Sequence, residues 1–349
     1  MSKRGKIIGV GGYSPKQLTN EDFVTVFGKP AKIVDRKLPH NKRYSLIELS
    51  TGKIEMSNTD KAYKSTMAAN DMPEIMANDI DMIIYSTLTP DFPVPPCYTI
   101  LQELLGIKEC MGFDIRSGCA GFGTAMVVAQ QCIATGIATR ILVVGADLFS
   151  SRHSIFFEEG IENYPIKALY NLMFFGDAAG AIILESTENK NEGIFSSIMG
   201  STKPDVPFGS ILEIGGSRNP YPTTQIPKEN WPLSQNGILT EEYLPQVLIE
   251  SVEKFLIVNN MKITDFMHFV FPVASKSMGK KLFDHFTDLD IENVVTIGED
   301  GGALANAAIP LSFEKGVKEN KFKKGDKILV YAGENTRWQH AVIGLYWGI

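Results

Sequence analysis

Short, unbroken apolar runs recur along this chain, each set off by glycine or proline and followed by a helical pattern. Met82-Ile83-Ile84-Tyr85-Ser86 and Arg140-Ile141-Leu142-Val143-Val144-Gly145-Ala146 lack the alternation of half-exposed strands, as strands covered on both faces do. The pattern predicts strands at 6–13, 82–86, 112–115 and 140–146, and a fifth behind the glycine-rich turn of Phe175–Leu184. A second set follows at 194–198, 268–272, 293–297, 327–332 and 341–347. Helices are predicted from Asn58 or Thr59, as cap, to about residue 77, then at 97–105, after Cys119, and at 240–258, 274–287 and 303–315. Two sets of buried strands alternating with helices imply an α/β architecture with a duplicated unit. No linker or low-complexity stretch separates the sets, so 1–190 and 191–349 are expected to pack as one body.

Between these elements lie polar or proline-rich segments. Residues 16–60 read as irregular, with Lys29, Lys32, Arg36, Lys37, Lys42 and Arg43 on a solvated surface or facing an acidic partner or a phosphate. The loop Thr89–Pro96 carries Phe92, suited to contact with a partner subunit or a pocket, or to capping its own core. Residues 150–173 are aromatic and irregular, either a cover over an apolar pocket or an interface segment.

One stretch concentrates the candidate chemistry. Gly112–Ile115 reads as a strand, Arg116–Gly118 as a glycine-bounded turn, and the chain from Gly121 towards Gly136 as a helix, which leaves Cys119 at the helix N-terminus. Free N–H groups and the positive helix end would lower its thiol pKa and hold an oxyanion, as acyl-thioester chemistry requires. The same residue also reads as a small buried hydrophobe.

Composition narrows the field. The chain has 349 residues, long for a single core, and a net charge of −6 with pI near 5.5, which argues against general nucleic-acid binding. Cys97, Cys110, Cys119 and Cys132 lack metal-ligand spacing and do not form a disulfide framework. No run reaches membrane-spanning length, and Met1–Gly5 leads directly into a strand-like segment, so a cytoplasmic protein is expected.

The ordered motifs resemble the thiolase superfamily, specifically its β-ketoacyl-ACP synthase III branch. Gly112-Phe113-Asp114-Ile115 with Gly118-Cys119-Ala120-Gly121-Phe122 is similar to the family's nucleophile motif. Phe175-Gly176-Asp177-Ala178-Ala179-Gly180-Ala181 is similar to FGDGAGA. Gly145-Ala146-Asp147, Gly215–Pro220 and Trp338–Val342 follow in the family's order. The resemblance implies a five-layered αβαβα fold from two duplicated halves, a homodimer, no bound cofactor, and a cysteine acylated by acyl carrier protein or acyl-CoA.

Departures from the pattern are specific. Val273 stands after Pro272 where the family has histidine, and Ala303 (or Gly302, with a one-residue shift) stands where it has asparagine. Those two groups steady the enolate formed when a malonyl thioester loses carbon dioxide, so ordinary decarboxylative condensation is doubtful. The family's G-G-G-F-T-W turn becomes Gly333-Glu334-Asn335-Thr336-Arg337-Trp338. Glu334 as base and Asn335 as donor replace the lost groups if they face the pocket that Gly333 lines; otherwise they sit on a surface turn. His340, His268 and Asp300 are weaker candidates.

Ile33–His40 lacks the tryptophan of CoA-using relatives, which favours a carrier-protein donor, and Lys276, Lys280 and Lys281 offer either a basic docking face or a solvated one. Two functions follow. One is an acyltransferase or atypical condensing enzyme of fatty-acid-like or polyketide metabolism. The other is a catalytically reduced partner, in a heterodimer with an active ketosynthase-like chain.

Overall fold

The computed structural model describes residues 3–71, 77–220, 226–272 and 276–349. Two five-stranded sheets form its frame. The first contains β1 (Arg4–Tyr13), β2 (Met82–Ser86), β3 (Met111–Ile115), β4 (Arg140–Asp147) and β5 (Ala178–Thr187), in the order β1-β5-β4-β2-β3. The second contains β6 (Gly193–Ser201), β7 (His268–Val270), β8 (Val294–Val295), β9 (Lys327–Gly333) and β10 (Gln339–Tyr346), in the order β6-β10-β9-β7-β8.

The second order repeats the first strand for strand, and so do the directions. The pairs β1–β5 and β5–β4 are antiparallel and β4–β2 and β2–β3 parallel; β6–β10, β10–β9, β9–β7 and β7–β8 follow the same scheme. Each half also has helices in matching places: α1 (Asn58–Asp71), α2 (Cys97–Leu104) and α3 (Gly121–Ala134), then α4 (Gly237–Val258), α5 (Lys276–His285) and α6 (Ala308–Lys318). Helices α3 and α6 lie between the sheets. Phe122, Met126 and Ile133 of α3 share one core with Ile84 and Val143 of the first sheet, Val330 and Ile343 of the second, and Phe313 of α6. The outer helices α1 and α4 pack on the far faces, giving a five-layered αβαβα body.

The structure corrects the reading of several segments. Residues 20–35 are not irregular: helices Asn20–Phe27 and Lys29–Asp35 stand there, the first opened by a capping box between Thr19 and Asp22, while most of 36–57 is irregular as expected. Their apolar positions Phe23, Phe27, Ala31 and Val34 bury against Ala168, Leu172 and Met173 of a further helix, Ile166–Phe174, so the aromatic segment covers these helices. Arg43 is buried, its guanidinium donating to the Met173 and Leu18 carbonyls and to Asn20.

The cap of α1 comes from neither Asn58 nor Thr59. Ser57 and Asp60 exchange side-chain-to-backbone bonds, and the Asp91 carboxylate accepts from the Asn58 and Thr59 N–H groups. Helix α6 starts five residues later than 303, because Ala303 is held in a bridge to Phe175 and Ala305–Ala307 form a 3₁₀ turn. Among the described residues no helix is long and apolar enough to cross a membrane.

Candidate active site

The parallel strands β2, β3 and β4 deliver three segments to one end of the first sheet, where α/β folds place ligands. Thr87–Thr89 follow β2, the turn to Cys119 follows β3, and Asp147 closes β4. The turn after β9 and the segment 302–307 before α6 reach the same place from the second half, because Gly118 meets Glu334 and Gly121 meets Asn306. Gly118 has φ +56° and lies so close to the Glu334 carboxylate that an added Cβ would stand 2.5 Å from it. At Gly121 an added Cβ would stand 2.2 Å from Ser86 Oγ.

Cys119 sits two residues before α3 and is partly exposed. Its thiol is nevertheless pushed well above the ordinary range, by burial first and then by the negative charges of Glu334 and Asp147. The expectation of a lowered pKa is therefore corrected. A helix N-terminus contributes at most about 2 kcal/mol towards an anion, less than desolvation and two carboxylates oppose. Cys119 therefore rests as the neutral thiol.

Asp147 is buried and accepts at five points: from Thr87 Oγ1 (3.2 Å), Leu88 N (2.7 Å) and Thr89 Oγ1 (3.2 Å) on one oxygen, and from Asn306 N (3.1 Å) and Nδ2 (2.8 Å) on the other. Asn306 in turn accepts from Ser86 Oγ at 2.7 Å. One carboxylate thus ties the loop after β2 to the segment before α6. Burial pushes the Asp147 carboxyl pKa up, against those hydrogen bonds and the charge of Lys61, whose ammonium is buried and held at about 8. Asp177 of the FGD stretch has a parallel task, accepting from Leu46 N at 3.0 Å and Ser150 N at 3.1 Å.

Glu334 turns inward, 1 % exposed. Its carboxylate accepts from Arg337 N (3.0 Å) and Gln339 N (2.7 Å) on one oxygen, and from the N–H and hydroxyl of Thr336 on the other. All four donors belong to its own turn. Gln339 also accepts from Ser117 Oγ at 2.5 Å, which ties this turn to the one carrying Cys119. Asn335 is occupied elsewhere: its amide donates to Thr240 Oγ1 on α4 (2.8 Å) and its carbonyl accepts from Ser210 Oγ (2.7 Å). The structure therefore brings Glu334, and not the Asn335 side chain, against the cysteine turn. Gly333 ends β9 opposite His340.

Ala303 is pinned through its backbone, donating to the Phe174 carbonyl and accepting from Gly176 N. Val273 lies outside the described residues, as does the Lys276 side chain. Lys280 lies on the wall of a groove that Phe283 and Asp300 also line, and Lys281 donates to the Glu241 carbonyl at 2.9 Å. His268 pairs with Asp326 at 3.1 Å, Asp300 with Lys42 and Lys315, and His340 is buried. Phe92 is 55 % exposed. Among the described residues no group of three or more His, Cys, Asp or Glu side chains is arranged for a metal ion. Asn306 was not singled out from the sequence; a polar residue inside the apolar run Ala303–Ile309 is the signal that marks it.

A family model described as 3-oxoacyl-[acyl-carrier-protein (ACP)] synthase III matches residues 113–203, and its C-terminal counterpart matches residues 256–344. The chain belongs to the synthase III family. Curated synthase III relatives include the Beta-ketoacyl-[acyl-carrier-protein] synthase III of Clostridium perfringens, 27 % identical over 350 residues and covering 98 % of this chain and all of the relative. That of Ehrlichia canis is 28 % identical over 337 residues, covering 96 % and 98 %. Among solved folds, the 3-oxoacyl-(acyl carrier protein) synthase III of Pseudomonas aeruginosa PAO1 superposes with TM-score 0.80 at 20 % identity, covering 99 % of both chains. AbyA1, a tetronic acid condensing enzyme, superposes with TM-score 0.85 at 20 % identity, covering 98 % and 99 %. As a synthase III member of the thiolase superfamily, the chain is a condensing, acyl-transferring type of protein.

Proposed function

We propose that this synthase III homologue carries an acyl group as a thioester on Cys119, taken from acyl carrier protein or acyl-CoA, and passes it to an acceptor. The observation that carries the reading is a partly exposed cysteine at the start of a buried helix, in a turn braced by Glu334 and Gln339. Loading balances without an outside base. The Cys119 sulfur bonds to the acyl carbon, the donor's carbon–sulfur bond breaks, and the thiol proton leaves with the departing thiol. The exchange goes through the thiolate, so the raised Cys119 pKa slows loading, and the step needs the thiol proton to pass to the departing sulfur.

Decarboxylative condensation lacks its usual donors, since Ala303 offers no side-chain amide and Val273 no imidazole. Asn306 does not stand in, because its amide and carbonyl are committed to Asp147 and Ser86. Glu334 acts as a positioning residue that shapes the turn beside the nucleophile. Carrier-protein docking falls to the face of α5 with Lys280, and the reaction belongs to fatty-acid-like or polyketide metabolism. The chain pairs as a homodimer through the edge strand β3, where Met111 and Phe113 are exposed and Phe92 lies on the loop after β2.

Incubation with acyl-carrier protein, read by intact mass, tests this: an acyl adduct absent from C119A supports it. A second reading, a reduced partner of an active ketosynthase, is favoured by the raised thiol pKa. It gains if no donor gives an adduct and the chain co-purifies with a complete synthase.

A further inference from the structure

Beside the Asp147 cluster lies a cavity of about 250 Å³. Leu88, Phe149, Ile211, Leu212 and Leu233 make most of its wall apolar, and Arg152 enters it as a half-buried cation. Thr89 and Thr336 close the side towards Cys119: the first donates to Asp147, and the second to Glu334, which touches Gly118. The cavity therefore begins immediately behind the residues that brace the nucleophile.

Arg152 is unusual in its surroundings. Among the described residues no carbonyl or carboxylate accepts a hydrogen bond from its guanidinium, and no ion pair involves it. Its electrostatic neighbours are Arg116, of like charge, and Asp147. The oxygens of Asp147 are already taken up by Thr87, Leu88, Thr89 and Asn306. Burial and the Arg116 charge both weaken the guanidinium's hold on its proton. A partly desolvated cation without a partner carries a cost that an anion would relieve, and a planar guanidinium matches a carboxylate bidentately.

We propose that Arg152 binds a carboxylate at the far end of the substrate's acyl group, so that the chain transfers a dicarboxylic acid held as its mono-thioester. The inference rests on Cys119 accepting an acyl group, and it names the acyl class. Apolar walls take up the methylenes and the guanidinium takes the terminal charge. A phosphate of the pantetheine arm has related chemistry, but the apolar lining suits methylenes better than that polar arm. The other arginine of the cavity, Arg337, is engaged over the Phe208 ring and donates to the Pro204 carbonyl.

Initial rates of Cys119 loading from glutaryl- and adipyl-carrier protein, compared with valeryl- and hexanoyl-carrier protein, test the assignment. The carboxylate-ended donors are expected to load roughly ten- to a hundredfold faster at low donor concentration, the range of one charge-assisted contact. That ratio should collapse in R152M and be partly kept in R152K. Equal loading of the two classes, or a ratio unchanged in R152M, overturns the proposal. Thermal shift with free glutarate gives a readout that needs no acylation: stabilisation of the full chain that R152M loses supports the site even if no donor loads Cys119. Equal or greater stabilisation by inorganic phosphate overturns it in favour of a phosphate site.

Discussion

Replacing Glu334 by glutamine separates a turn-holding role from a basic one. The carboxylate accepts four hydrogen bonds, two on each oxygen, from Thr336, Arg337 and Gln339. Glutamine keeps one acceptor oxygen and presents an NH2 to the other two donors, so two charge-assisted bonds are lost, each worth roughly 1.5–3 kcal/mol. Removing a buried charge gives part of that back, and a net loss of about 2–4 kcal/mol is expected in urea unfolding. The same change removes one of the two negative charges that raise the Cys119 thiol. Its pKa therefore falls, and the pH profile of Cys119 alkylation moves towards lower pH. A base role predicts something different: acyl loading down by roughly 10²–10⁴ at unaltered stability. E334Q with wild-type stability and an unshifted alkylation profile would refute the clamp described here.

Further expectations are independent of that variant. D147A leaves five donors without their acceptor; urea unfolding should show a loss of more than about 4 kcal/mol. Buried His153, hydrogen-bonded to Tyr164 at 2.7 Å, is held down to about 3 by desolvation, so the unfolded chain binds its proton first as pH falls. Stability from this group is present above pH 6.5 and declines down to about pH 3, with about 2 kcal/mol lost between pH 7 and 5; H153Q should remove that part of the slope. For the proposed dimer, F113K on the edge strand should yield a monomer by light scattering, whereas I137K, at an exposed position after α3, should not.

Much of the frame is legible in the sequence because strands covered on both faces must be continuously apolar. Met82–Ser86 and Arg140–Ala146 announce themselves in this way, and the glycine-bounded turn sets Cys119 at the start of α3. The helices at 20–35 carried a readable signal too: a Thr19–Asp22 box and apolar residues at 23, 27, 31 and 34 in helical spacing. Their scattered lysines and arginines outweighed it, although Arg43 is buried under them. Local pattern does not reveal pairings between distant segments. Asp147 with Asn306, Glu334 with Gly118, and Arg152 with the cavity walls of Ile211, Leu212 and Thr336 each join parts of the chain that only the two-sheet topology brings together. The expected thiol pKa failed for the same reason, since the helix is local whereas the packing that buries the thiol, and then the two carboxylates, come from distant segments.

The most direct measurement is the mass of the tryptic peptide Ser117–Arg140 after incubation with acyl-carrier protein, with fragmentation to separate Cys119 from Cys132 in the same peptide. An acyl mass on Cys119, absent from Cys132 and discharged by hydroxylamine, is the predicted result. An unmodified Cys119 with every donor class, or acylation confined to Cys132, would contradict the account.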